Sequence, residues 1–420
     1  MHLKLISLLG LFAMIGVAWV CSSNRKRFPW RTVWAGVALQ FLFAAAILKT
    51  QFGEHFFKSA NSAVTRLQAF ADEGSRMVFG PLANEPLLTE KWGAENALIV
   101  AISITATIIL VSALSSFLYH YGILQRVVRG MAWVMQKAMR TSGSESLAAA
   151  ANIFVGQTEA PLVVKPYLPR MTRSELFALM VPGMASIAGG VLAAYAAFGR
   201  RAGITDMAGN LVTASFMSAP AALLISKVML PETEPSETAA GASAKIDRES
   251  ANGIDALCRG AGEGMMLSIN VMAMLIAFVA VVALANFMIA YPQSYFGAAN
   301  PVTLQNIFGW VNAPFAWLIG IPWKDCPAVG ELMGERIVLN EFIAYFNLAG
   351  KGAQLDPRSL TLATYALCGF ANFSSIAIQI GGIGALAPSR RTDLAQLGLR
   401  AMVGGLLACY MTAAVVGILL

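Results

Sequence analysis

Residues 142–173 read SGSESLAAAANIFVGQTEAPLVVKPYLPRMTR. The apolar run from Leu147 to Val164 is long enough to enter a membrane, yet Gly156, Gln157, Thr158 and Glu159 sit near its middle. An amide, a hydroxyl and a carboxylate in hydrocarbon each carry a desolvation penalty. The flanks indicate how the chain meets it. Arg140 lies upstream and Lys165, Arg170 and Arg173 downstream; because Lys and Arg gather on the cytoplasmic side of spans, both ends face the cytoplasm. The segment therefore enters and leaves on one face. It reads as a re-entrant hairpin whose irregular tip, at GQTE, is buried in protein or lines a wet cavity, since unpaired backbone cannot face lipid.

The rest of the 420-residue chain is built for the same solvent. It is 57% hydrophobic and 13% charged, about half the charged share of a soluble protein. Its apolar residues gather into blocks of about 20, the length of a helix that crosses the hydrocarbon core. This is an all-α polytopic membrane protein, with membrane lipid as a partner. The net charge of +7 comes from basic residues at the ends of apolar blocks, where they orient helices, which argues against binding to nucleic acid. Cys21, Cys258, Cys326, Cys368 and Cys409 stand singly, in neither a disulfide framework nor zinc-site spacing. No HExxH or GxSxG motif points to an enzyme and no Walker A motif to ATP drive, so neither a catalytic residue nor an organic cofactor is expected.

The first apolar segment, LKLISLLGLFAMIGVAWVC, runs into SSNRKRFPWR instead of a small-residue cleavage site, and reads as a retained span with its N-terminus outside. Residues about 33–49 return outward, about 52–92 form an external amphipathic region, and about 96–118 come back in. The stretch LQRVVRGMAWVMQKAMR alternates Arg126, Arg129, Lys137 and Arg140 with apolar residues, the pattern of a helix lying in the cytoplasmic interface; a calmodulin-type target helix is the rival reading. After the hairpin, about 175–199 form a span that contains Pro182 and GMASIAGG, a poor helix former. Arg200 and Arg201, on its outer side, go against the charge rule. Residues about 206–230 return to PETEPSETAAGASAKIDRES, whose composition is that of a flexible cytoplasmic loop. The segment about 264–290 goes out. Next, NIFGWVNAPFAWLIGIP, WKDCPAVGELMGER and IVLNEFIAYF read together as a second hairpin, entering from outside and bearing Glu341. Residues about 359–387, interrupted by CGFANFSS, cross inward, and about 394–420 leave the C-terminus outside.

The expected division is 1–118 as N-terminal scaffold, 119–141 as interfacial helix, 142–230 as first repeat, 231–262 as cytoplasmic linker, 263–390 as second repeat and 391–420 as last span. Each repeat has a hairpin with an intramembrane glutamate, Glu159 or Glu341, followed by a span broken at GMAS (Gly183 to Ser186) or GFAN (Gly369 to Asn372). The hairpins enter from opposite faces, so the repeat is inverted, the signature of secondary transporters that bind substrate near the midplane. Paired hairpins favour alternating access over a continuous channel. No basic residue is expected within the apolar blocks that hold the two glutamates, so they read as functional groups and not as halves of structural ion pairs. Asn372 and Ser375 have a plainer reading as interhelical hydrogen-bonding groups, Phe370 as core, and the GMASIAGG glycines as close-packing residues. His2, His55 and His120 fall at the terminus or at membrane boundaries, which suits interfacial residues better than proton relays.

The strings ANIFVGQTEAPLVV and GMASIAGGV, followed by LNEFIAY and CGFANFSS, resemble the concentrative nucleoside transporter family in its sodium-coupled bacterial branch. The resemblance runs through nearly the whole chain. It implies a homotrimer in the bacterial inner membrane, each protomer with eight spans, two opposed hairpins and an interfacial helix, with import of nucleosides driven by an inward cation gradient. It further implies that Gln157, Thr158 and Glu159 face the base, that Glu341, Asn372 and Ser375 face the ribose, and that Val191, Leu267 and Phe370 form the walls. Sodium is expected at carbonyls of Asn152, Val155, Ser186 and Ile187, with the Ser186 hydroxyl added. A proton-coupled symporter using Glu159 and a carrier of another polar solute, such as a nucleobase, are the alternatives.

Overall fold

The computed structural model describes residues 1–93, 99–204, 206–242, 250–297 and 301–420. The start of the span expected from residue 96, part of the 231–262 linker and the side chain of Arg201 lie outside the described residues. Everything regular among the described residues is helical. The chain runs through α1 (His2–Val20), α2 (Trp30–Leu48), α3 (Gln51–Phe79), α4 (Glu85–Trp92), α5 (Val100–His120) and α6 (Ile123–Met139) to the first hairpin, α7 (Gly143–Ala151) and α8 (Ala160–Val163). It continues through α9 (Arg173–Ala185), α10 (Gly189–Arg201), α11 (Met207–Met229), α12 (Gly253–Tyr295) and α13 (Leu304–Leu318). Then come α14 (Cys326–Val338), α15 (Glu341–Lys351), α16 (Pro357–Leu367), α17 (Phe373–Leu386) and α18 (Arg391–Leu419).

Among the described residues six helices are long and apolar enough to cross a membrane, α9 and α10 counting as one, and the bent pair α5–α6 supplies a seventh candidate. The remaining expected span is the pair α16 and α17, of 11 and 14 residues, neither long enough to cross alone. The amphipathic stretch after α2 is α3, tied to the bundle by Gln68 Nε2 donating to the Ala193 carbonyl at 2.6 Å and by the Gly209 amide donating to Asn61 Oδ1 at 2.8 Å. Gly122, at φ +73°, makes the turn after α5, and α6 leaves it bent by 77°, an orientation suited to the interface. α12 has 43 residues, about 64 Å at 1.5 Å per residue, roughly twice the hydrocarbon thickness.

Two sequence expectations need correction. The stretch NIFGWVNAPFAWL is a helix of its own, α13, packed along α14; the second hairpin consists of α14 and α15 alone, turning at Leu339 and Asn340. An apolar run of this length looks the same in a hairpin arm and in a helix lying beside it. The linker, read as flexible, is pinned at its start. Thr172 Oγ1 donates to Glu232 at 2.8 Å, the Gly143 amide donates to the Thr238 carbonyl at 2.9 Å, and Arg170 pairs with Glu237 at 3.0 Å. Ser236 and Thr238 both donate to Glu175. These hydroxyls and acids gather around the starts of α7 and α9, whose free amides need partners. The linker also ends earlier than expected, because residues 253–262 are the first turns of α12.

The hairpins enter from opposite ends of the bundle. At one end, Arg400 donates to the carbonyls of Cys21 and Met229, and the base of α7 meets Lys227 of α11. At the other, Ser7 donates to the Ile319 carbonyl, Arg358 donates to those of Gly320 and Gly417, and Asp325 at the base of α14 accepts from Ser359 at 2.6 Å. Capping boxes start both α7 and α9, Ser142 with Glu145 and Thr172 with Glu175. Glu145 is 0% exposed and forms an ion pair with Lys227, itself 6% exposed. Removing one partner of a buried pair strands the other charge at a cost of about 3–5 kcal/mol. Lys227→Met and Glu145→Gln should each lower the unfolding temperature of the detergent-purified protein, and the double substitution should recover most of the loss. Fully additive losses would show that the pair is not coupled.

Candidate functional site

The site grows from two breaks at the middle of the bundle. α9 ends at Ala185, Ser186 is extended (φ −123°, ψ 167°), and α10 restarts at Gly189. Residues 368–372 separate α16 from α17, and Asn372 caps the new helix, its Oδ1 accepting from the Ser375 amide at 2.9 Å. The breaks satisfy one another: the Phe370 amide donates to the Ser186 carbonyl at 3.3 Å. A second stitch, the Gly189 amide to the Phe154 carbonyl at 3.3 Å, joins the first break to the tip of the first hairpin. On α18, the Cys409 sulfur lies 3.2 Å from the Cys368 carbonyl and 3.6 Å from that of Ala185, touching both breaks.

Polar side chains from both halves meet over this crossing. Glu341, at the first turn of α15, accepts from Asn372 Nδ2 at 3.0 Å and from the Tyr195 hydroxyl at 2.8 Å. Tyr195 belongs to α10 and is stacked on Tyr345, ring centroids 4.7 Å apart. Gln157, at the tip of the first hairpin, donates through Nε2 to Ser375 Oγ at 3.1 Å, and its Oε1 accepts from Gln379 Nε2 at 3.1 Å. Gln157, Glu341, Asn372 and Ser375, expected around one substrate, are thus brought together in one buried cluster. Tyr195 and Gln379 join them without having been read from the sequence. Gln379 left a signal, a lone amide in the apolar string IAIQIGG; Tyr195 in LAAYAAF left none.

The residues expected to hold an ion lie at the hairpin tip and the first break, which the Gly189–Phe154 bond joins. Asn152 is 1% exposed, its Nδ2 donates to the Ala148 carbonyl at 3.1 Å, and its Oδ1 is buried with no hydrogen-bond donor. Such an orphaned oxygen fits a hard cation, which takes oxygen ligands. Ser186 Oγ donates to the Pro182 carbonyl at 2.8 Å and keeps its lone pairs. Ile187 is buried and Val155 half-buried.

Of the remaining expected residues, Val191 is buried in the first turns of α10 and Phe370 is half-buried in the second break. Thr158 lies over Gly382 of α17. Glu159 is exposed in the isolated chain, within electrostatic reach of Glu263 on α12. Leu267 is half-buried, one helical turn beyond Glu263 and so on the same face of α12; it is not part of the hydrogen-bonded cluster.

Arg336, which directly precedes the apolar block of Glu341, is a buried basic residue not singled out from the sequence. It lies on α14, is 0% exposed, donates to the Ala366 carbonyl at 2.5 Å and sits over the Tyr410 ring at 5.3 Å. In the sequence GERIV it passes for the polar end of a helix, but its place on α14 turns it inward. Among the described residues it forms no ion pair with Glu341, whose oxygens are held by Tyr195 and Asn372. Its guanidinium instead caps a carbonyl in the last turn of α16, at the edge of the second break.

Comparison with known proteins agrees with this architecture. Residues 9–82 and 210–417 match the family models "Na+ dependent nucleoside transporter N-terminus" and "C-terminus", and residues 101–202 match "Nucleoside recognition". The chain is 42% identical to the uncharacterized transporter YutK of Bacillus subtilis, over 98% of each chain. It is 36% identical to the nucleoside permease NupC of Helicobacter pylori, over 99% of this chain and 97% of the relative. Solute carrier family 28 member 3 of Mus musculus is 37% identical over 99% of this chain, which spans 59% of that longer protein. Among solved structures, CNTnw in an inward-facing substrate-bound state matches with a TM-score of 0.90 at 38% identity, over 99% of this chain and 97% of that one. An outward-facing variant of CNTnw matches equally, at 0.90 and 37% identity, over 100% and 98%. The chain is a multi-pass membrane protein, not an enzyme, and belongs to the concentrative nucleoside transporter family.

Proposed function

We propose that the protein imports nucleosides in symport with sodium, by alternating access around a site between Gln157 and Glu341. The observation that carries this reading is the single polar cluster to which both hairpins and both broken helices contribute, at the crossing of two inverted halves. Each hairpin is anchored at its own end of the bundle, so displacement of either tip opens a path to one side only. Outward- and inward-facing relatives of the same fold support such a cycle. The chain functions as a homotrimer, and the exposed apolar length of α12, including Ile276, Phe287 and Tyr291, offers surface for neighbouring subunits and lipid.

The chemistry follows from what each group has left to give. A carboxylate has about four acceptor positions, and two at Glu341 are taken by Tyr195 and Asn372. The rest accept from ribose hydroxyls, with Asn372 and Ser375 completing the contact. A site built to hydrogen-bond hydroxyls rejects analogues that lack them. On the other side, Gln157, Thr158 and Glu159 meet the base, while Val191, Leu267 and Phe370 exclude water from its faces. Exchange of internal hydrogen bonds for substrate bonds keeps the buried groups satisfied in both states.

Sodium sits between the hairpin tip and the first break, held by carbonyl oxygens of Asn152, Val155, Ser186 and Ile187 and by the Ser186 hydroxyl. The broken helix leaves carbonyls free for this purpose where an intact one would consume them. Binding of the ion stiffens the tip that carries Gln157, which couples ion to substrate.

Loss of a charged hydrogen bond costs about 1.5–3 kcal/mol. Glu341→Gln should therefore weaken uridine binding by at least about tenfold and leave uracil unaffected, whereas Gln157→Ala should alter preference among bases. Uridine binding unchanged by Glu341→Gln removes the ribose assignment, and uracil competing with uridine uptake as well as uridine itself points to a nucleobase carrier.

Replacement of sodium by choline at constant pH should stop accumulation in proteoliposomes, and Ser186→Ala should raise the sodium concentration needed for half-maximal uptake. Uptake that persists in choline and collapses with a protonophore would replace the sodium site with proton transfer through Glu159.

A further inference from the structure

Gln379 is 1% exposed on α17, wedged between the tip of the first hairpin and α9. Its Nε2 donates to Gln157 Oε1 at 3.1 Å and to the Met180 carbonyl at 3.0 Å, which uses both of its hydrogens. Its own Oε1 is buried with no donor. Burial of an unpaired acceptor is unfavourable, and an apolar residue of the same size would avoid it. The amide is therefore kept for its two donors.

The space for this contact is made by Gly183. A Cβ at that position would come within 2.7 Å of Gln379 Nε2 and 3.1 Å of Gln157 Cβ. Glycine here, inside the GMAS string, lets both amides lie against α9.

We infer that Gln379 is a specificity-determining residue: it fixes which way the Gln157 amide points, and thereby which pyrimidine nucleoside is preferred. The inference rests on the proposal that Gln157 faces the base. Two oxygens, Gln157 Oε1 and the Met180 carbonyl, face the Gln379 amino group, so Gln379 cannot turn over without setting its oxygen against an oxygen. Nor can Gln157 turn over, because its amino group would then meet that of Gln379. The partner on the other side of Gln157, the Ser375 hydroxyl, imposes no direction, since a hydroxyl donates or accepts equally. Gln379 alone sets the orientation.

The outward edge of Gln157 is left with one N–H and one lone pair in a fixed order, oxygen toward Gln379 and nitrogen toward Ser375. Uracil presents a donor at N3 beside an acceptor at C4; cytosine presents an acceptor at N3 beside an amino donor. The two edges are mirror patterns. Reversal of the amide exchanges the base that matches it, with no change in the shape of the site.

The test is competition of labelled uridine uptake by unlabelled uridine and cytidine, in sodium-loaded gradients across proteoliposomes, for the parent and three variants. Gln379→Glu keeps the shape but, neutral in this buried place, has one hydrogen to give in place of two; with that hydrogen on the Met180 carbonyl, its other oxygen faces Gln157, and the Gln157 amino group turns toward it. The cytidine-to-uridine ratio should then move by about tenfold or more against the base the parent prefers, as expected for a mismatched hydrogen bond. Gln379→Met removes the donors and frees the amide to take either direction, moving the ratio toward one. Gln157→Ala separates the two claims. If it changes the ratio while both Gln379 variants keep the parent value, Gln379 does not orient the amide and the inference falls alone. If Gln157→Ala itself leaves the ratio unchanged, the base assignment fails and the inference fails with it. A parent that takes uridine and cytidine equally would also overturn it.

Discussion

A helix broken at membrane depth frees backbone groups that lipid cannot satisfy, and the whole core of this protein is arranged around two such breaks. Each lies where glycine and small polar residues interrupt an apolar run, at residues 186–188 and 368–372. They answer one another directly, Phe370 amide to Ser186 carbonyl. The hairpin tip that carries Gln157 is stitched to the first break, α18 covers both through Cys409, and Arg336 caps a carbonyl beside the second. With these groups paired, the remaining polar side chains are free to point at a common centre. An intact pair of spans would bury the same side chains but offer no carbonyls and no close crossing.

The inverted arrangement gives the two hairpins separate anchors. The first rests on a polar cluster of Glu145, Lys227, Glu175 and the pinned start of the linker; the second rests on Asp325 and Ser359 at the opposite end. Their tips meet the same cluster from the two sides. A rigid base with a polar tip is what a gate requires, since the tip can exchange partners while the base holds its register. The long α12 and the surface helices α3 and α6 stand outside this core and present apolar residues to their surroundings.

Much of this was legible in the sequence, for a physical reason. Polar residues in apolar blocks are costly enough that GQTE, Glu341 and the broken spans stand out, and Lys and Arg at the flanks give the side of entry. What was not legible depends on direction. Lys227 and Arg336 sit near block ends, where a basic residue normally reaches the interface, and only the fold shows that both turn inward. The linker start has the composition of a solvated loop, but the same hydroxyls and acids also cap helix ends, and here they do. The helix α13 reads as part of the second hairpin because apolar content alone does not distinguish a hairpin arm from a neighbour. Tyr195 carries no signal at all, since a tyrosine among alanines is ordinary core until Glu341 is seen 2.8 Å from its hydroxyl.

The claim on which the rest turns is that one nucleoside bridges the two halves, with its sugar on Glu341. A chemical double-mutant cycle tests this: calorimetric binding of uridine, 2′-deoxyuridine and 3′-deoxyuridine to the parent and to Glu341→Gln, in saturating sodium. If Glu341 accepts from a ribose hydroxyl, the substitution weakens uridine but has little effect on the deoxynucleoside that lacks the contacted hydroxyl, a coupling of about 1 kcal/mol or more. Equal losses for all three ligands, with no coupling to either hydroxyl, would contradict it.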